Sequence, residues 1–190
     1  MAENKDDLNP LVEENPKERL KPSDVVQIVN RACQEGEALW PTIKVRTIFC
    51  CIVPLPMISM DIARLCLEFK NDGVVGIDIA GDENYKTQAA LQPHIDAFQF
   101  CKKHNIHRTA HAGEAEGADS VNKAIDLLSA ERIGHGYHVL QNESIYKRCL
   151  SRHTHFECCP ISSYRTGSVK TKEIHPIIQY VLGALSHMNK

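Results

Sequence analysis

The chain is poor in aromatic residues, 6% with Trp40 the one tryptophan, and has no surplus of either charge, with 22 Lys and Arg against 24 Asp and Glu. No Lys/Arg-rich stripe interleaved with aromatics is present, so neither nucleic acid nor an anionic membrane surface is an expected partner. Met1–Asp7 has no basic segment leading into an apolar one, and a secretory signal is not expected there. The longest apolar run, 45–60, contains Arg46, Pro54 and Pro56 and is too short to span a bilayer, which argues against membrane insertion. Dinucleotide fingerprints and phosphate loops are also missing. The remaining class is a cytoplasmic globular protein. At 190 residues it can bury a core, but it falls short of the roughly 250 usual for a closed (β/α)8 barrel.

Cysteine is plentiful, eight in all, yet it does not form the loop-spaced framework of a disulfide-stapled domain. Cys50, Cys51, Cys66, Cys101, Cys158 and Cys159 sit in apolar runs, where buried reduced thiols are expected. A Pro-Cys-x-x-Cys element, which would point to a zinc cytidine-deaminase fold, does not occur.

Residues 1–22 are mostly Asn, Asp, Glu, Lys and Pro and read as a polar arm or connecting loop, with an ordered domain over 23–190. Ser23 and Asp24 are good cap types for a helix to about Leu39. After it, strands are expected at 45–53, 74–80, 108–111, 132–134 and 154–159. They alternate with helices at 59–71 (capped by Ser59), 93–104 (started by Pro93), 118–129 and 142–152, and a last helix covers 175–185. This βαβ alternation predicts an α/β fold with a parallel sheet.

Polar and unusual residues collect where the strands end: Gly81-Asp82-Glu83, His111 to Glu114, His135 to His138, and Pro160 to Ser163. Chemistry at the C-terminal ends of parallel strands suits a barrel-type site. His111, Glu114 and His135 offer a metal ligand, a proton donor and a water-orienting base. The plainer readings are a hydrogen-bonded strand-end histidine and a first-turn acid favoured by a helix dipole. Gly134 and Gly136 around His135 are read as clearance for a bound ligand. Gly81 could present its N–H to a ligand or simply turn the chain. His138 is assigned a loop role, and His153 and His155, at the start of a strand, a structural or surface one.

Four segments carry a resemblance to a known family: Ile77 to Glu83, His107 to Glu114, Glu131 to His138, and His155 to Pro160. In this order and spacing they resemble the adenosine deaminase family, over about residues 23–179. The resemblance implies a zinc-dependent (β/α)8 barrel converting adenosine or 2'-deoxyadenosine to inosine or 2'-deoxyinosine and ammonia. It implies His111 as a zinc ligand and Glu114 as the acid that protonates the purine ring nitrogen. His135 would orient and deprotonate the attacking water, and Gly81 would be a backbone donor to the purine.

The family's first strand also carries a His-x-His pair and its last a Thr-Asp-Asp element. Nothing before Ser23 reads as that first strand, and no Asp follows Asp126 to supply the last element. The resemblance therefore implies a partial barrel, about strands three to seven of eight, retaining one zinc ligand. Its exposed barrel edges would invite self-association. Two alternatives stand beside the purine-nucleoside deaminase: a non-catalytic truncated product or pseudo-enzyme acting through partner binding, and a metal-dependent amidohydrolase for another purine.

Overall fold

The computed structural model describes residues 20–82, 88–170 and 174–180, with side chains at 88–90 left aside. The chain divides into two compact units, up to Val45 and from Arg46 onward. In the first, helix α1 spans Pro22–Leu39. Its N-cap is Lys21 rather than Ser23 or Asp24. Asp24 acts one turn in, its carboxylate accepting the Lys21 N–H at 2.9 Å. At the far end Glu37 accepts the Val45 N–H at 2.7 Å. Most of the expected N-terminal arm lies outside the described residues.

The second unit holds five strands, β1 (Thr47–Ile52), β2 (Val74–Ala80), β3 (His107–Ala112), β4 (Arg132–His135) and β5 (His155–Glu157), all parallel and in sequential order. Between them run α2 (Ser59–Glu68), α3 (Gln88–Lys103), α4 (Ala118–Leu127) and α5 (Glu143–Ser151), and α6 (Pro160–Thr166) follows. Right-handed crossovers between neighbouring strands that never reverse order lay every helix on one side and curve the sheet. A doubly wound sheet needs a reversal, which this order lacks. The unit is an arc of a (β/α) barrel.

The sequence dictates much of this. β2 reads Val-Val-Gly-Ile-Asp-Ile-Ala and is buried along nearly its whole length, as a central parallel strand covered on both faces must be. Ile77, Cys51, Ala63, Cys66, Phe98 and Cys101 are fully buried between sheet and helices. Asn142 caps α5, its side chain accepting from the Ser144 and Ile145 N–H groups. Burial pushes the Cys51 thiol up to about 11, which keeps it unreactive. All eight cysteines are free, though Cys50 and Cys159 are exposed rather than buried.

Three local expectations change. Pro93 lies inside α3 instead of starting it, so the helix forgoes one backbone bond there. Pro160 opens α6, where no helix is expected from the sequence, because proline suits a first helical turn. Helical backbone near the chain's end begins at residue 177, and 181–185 lie outside the described residues.

Ser59 is the first residue of α2 rather than its cap, and its hydroxyl is 2.7 Å from His94 Nδ1. His94 Nε2 lies 3.1 Å from the Val53 carbonyl, which can only accept. The neutral ring therefore donates from Nε2 and accepts from Ser59. Burial holds the His94 pKa below its ordinary 6.5. Between the folded value and 6.5 the unfolded chain binds more protons, so this contribution is complete above 6.5 and is lost as pH falls through the folded value. We expect the thermal midpoint to drop on acidification below about 6.5, with a shallower acid slope in His94→Gln. An identical slope in the variant would remove His94 as a cause.

Candidate active site

The candidate site forms where β2, β3 and β4 end, at one edge of the sheet because the strands are parallel. The β2–β3 ladder stops at Ile77 and Arg108. Beyond it the link is between side chains, the Asp78 carboxylate lying 3.1 Å from His111 Nδ1. Asp78 is the lone charge in an otherwise apolar strand, buried, and its Oδ1 also accepts the Ile79 N–H at 2.7 Å. The hydrogen bond between Asp78 and His111 raises the His111 pKa above its ordinary value, against the opposing effect of burial. With Nδ1–H given to Asp78, the neutral imidazole keeps its Nε2 lone pair for a metal, the usual carboxylate–histidine arrangement behind a ligand.

β3 and β4 pair His111 with Gly134 and Ala112 with His135, which sets the two histidines side by side. Their ring centroids are 5.3 Å apart and edge to face. A Cβ at Gly134 would lie 3.0–3.2 Å from the His111 ring, and one at Gly136 would lie 2.4 Å from the Phe156 ring. These glycines make room for neighbouring side chains, not for a ligand as the sequence suggests. Gly136 also adopts φ +69°, and His135 itself stands at φ +66°, a conformation costing a non-glycine residue about 1–3 kcal/mol and concentrated at functional sites.

Glu114 follows Gly113, whose φ of +68° turns the chain back toward β4. One Glu114 oxygen lies 3.4 Å from His135 Nε2, and the other accepts from Thr166 Oγ1 at 3.1 Å. His135 is almost buried, with 8% of its side chain exposed, so this ion-pair geometry is shielded from water. On its other side, His135 Nδ1 is 3.3 Å from the Tyr137 hydroxyl. His111, Glu114 and His135 thus converge. Gly81, at φ +126° beside Val53 and Pro54, ends β2 on the same edge of the sheet but makes no described contact with them.

His138 packs in the turn after β4, its Nδ1 2.8 Å from the Glu116 carbonyl. His153 precedes β5 in a left-handed turn, and both it and His155 are exposed at the opposite end from the site. Cys158 and Cys159 lie beyond β5, not on it. Asp78 and Tyr137 escaped the sequence reading as site residues. Asp78 had a signal, a charge in a strand buried on both faces. Tyr137 had none apart from its neighbour His135.

A catalytic zinc takes at least three protein ligands. Among the described residues no three His, Cys, Asp or Glu side chains are grouped to hold a metal ion. The described residues alone do not fit a complete zinc site. Nor is any helix among them long and apolar enough to cross a membrane.

The adenosine deaminase family model matches residues 9–185. Mouse adenosine deaminase is 41% identical over 161 residues, covering 85% of this chain and 46% of that protein. The zebrafish adenosine deaminase is 44% identical over 164 residues, covering 85% and 45%. Among solved structures, an adenine deaminase from Arthrobacter aurescens superposes with a TM-score of 0.74 at 20% identity, over 84% of this chain and 48% of that one. An amidohydrolase from Burkholderia ambifaria with bound Zn gives 0.72 at 23%, over 83% and 44%. The chain spans about half the length of the relatives it matches. With the family model matched over nearly its whole length, the chain belongs to the adenosine deaminase family.

Proposed function

We propose that this chain carries the acid–base part of an adenosine deaminase-type site, for hydrolysis of adenosine or 2'-deoxyadenosine to inosine or 2'-deoxyinosine and ammonia. The observation that supports this best is the convergence of His111, Glu114 and His135 at the ends of adjacent parallel strands, with Glu114 in contact with His135. Glu114, as a carboxylic acid, protonates the purine ring nitrogen next to the carbon under attack and so neutralises the charge that would build up there. His135 orients the attacking water and takes its proton through Nε2. The Gly81 N–H, with no side chain in the way, binds the purine edge. His111 presents Nε2 as one metal ligand, and the remaining ligands come from outside the described residues.

The absence of a ligand trio among the described residues favours a second reading, a non-catalytic member of the family. One sample separates the two. Zinc content and the loss of adenosine absorbance are measured on the purified chain in zinc-supplemented buffer. Stoichiometric zinc with turnover establishes the deaminase, whereas a zinc-free and inert protein overturns it and leaves the non-catalytic reading.

A further inference from the structure

His135 and Gly136 are consecutive residues in the left-handed region, at φ +66° and +69°. Glycine adopts that conformation freely. A histidine is strained in it, and the strain persists only where the surrounding structure over-determines the backbone. Backbone hydrogen bonds supply part of that restraint. The Gly136 N–H donates to the Ala112 carbonyl at 3.0 Å, the His138 N–H to the Gly113 carbonyl at 3.0 Å, and the Val139 N–H to the Gly136 carbonyl at 2.9 Å. These three belong to the turn itself and to the end of β3 beside it.

A further restraint comes from far along the chain. The Tyr180 hydroxyl donates to the same Gly136 carbonyl at 2.6 Å. The sense of this bond is fixed, since a carbonyl can only accept. Burial raises the Tyr180 pKa, which keeps the donated proton in place. With the Gly136 N–H and carbonyl both bonded, the peptide groups on either side of the glycine are held, and its freedom is not passed back to His135. The Tyr180 ring is itself located by stacking on Phe156, with centroids 4.9 Å apart and planes at 15°. Phe156 in turn fills the space a Gly136 Cβ would need.

We propose that Tyr180 is a positioning residue: its hydroxyl pins the Gly136 carbonyl and so holds His135 in the left-handed conformation that turns its ring toward Glu114. The strain at His135 then has a use, keeping Nε2 3.4 Å from a Glu114 oxygen with 8% of the histidine side chain exposed. Tyr180 acts through the backbone, not on the reacting atoms. Its value to catalysis rests on the reading of His135 as the base.

The test needs neither metal nor substrate, so it can fail independently of the deaminase reading, which fails on turnover. In NMR spectra of the full chain, positive φ at His135 gives a strong nuclear Overhauser effect between its own amide and α protons, expected in the wild type. Tyr180→Phe keeps the ring and its stacking and removes only the hydroxyl. In that variant the population of other conformers at His135 is expected to rise by roughly 2–10-fold, the factor a typical net hydrogen bond is worth. Relaxation dispersion, which reports microsecond-to-millisecond exchange, should then appear at His135 and Gly136 while Ile133 in β4 stays unchanged. Profiles at His135 and Gly136 identical to the wild type would overturn the proposal. So would dispersion spread equally through β4, which would mark a general loosening. A wild-type His135 without the strong amide–α effect would overturn it too, whether or not the variant folds.

Discussion

On the deaminase reading proposed above, replacing Glu114 with Gln in an otherwise complete enzyme with its zinc site filled is expected to lower adenosine turnover by about 10²–10⁴-fold, the usual range for removing a general acid. That corresponds to about 3–5 kcal/mol of the barrier. The substitution is nearly isosteric, so the new side chain can keep the contacts with Thr166 and with His135 Nε2. Stability should consequently change by no more than about 0.5 kcal/mol, and zinc content should not change. The amide cannot deliver a proton to the purine, so the loss should fall mainly on kcat, with KM little altered. Turnover equal to the wild type would take Glu114 out of the acid role. A loss of turnover accompanied by a fall in thermal midpoint would point to misfolding instead.

Much of the fold was legible because the chain's local preferences and its global arrangement agree. β2 occupies the residues its apolar run marks, and Asn142 caps α5 as its residue type suggests. The three converging residues were legible too, since each ends a strand and parallel strands bring their ends together. Contacts between distant segments were not. Gly134 and Gly136 look alike in sequence, and only the packing shows that one accommodates the His111 ring and the other Phe156. His175 belongs to no strand-end motif, yet its ring packs edge-on against Tyr137, whose hydroxyl lies beside His135. Pro160 is compatible with either a loop or a helix start, and only the backbone decides.

Gly136→Ala is the substitution expected to cost the most stability, because two independent constraints meet at one position. At φ +69° a Cβ is strained whatever surrounds it, at roughly 1–2 kcal/mol. The same Cβ would lie 2.4 Å from two atoms of the Phe156 ring, closer than any real contact. Phe156 cannot readily move away, since its ring stacks on Tyr180 with centroids 4.9 Å apart and planes at 15°. Tyr180 is in turn tied to the Gly136 carbonyl by a 2.6 Å hydrogen bond, so the ring and the backbone that must separate are held together. Overpacking of this kind adds about 1–3 kcal/mol, for a total of roughly 2–5 kcal/mol. Denaturant unfolding should show this as a lower midpoint at unchanged slope. Gly134→Ala provides the contrast. Its φ is not left-handed, and its Cβ meets a His111 ring that is partly exposed, so the strain can be relieved by turning the ring. That variant should keep most of its stability while losing the Asp78–His111 hydrogen bond. Equal destabilisation by the two variants would show that backbone conformation is not what distinguishes these positions.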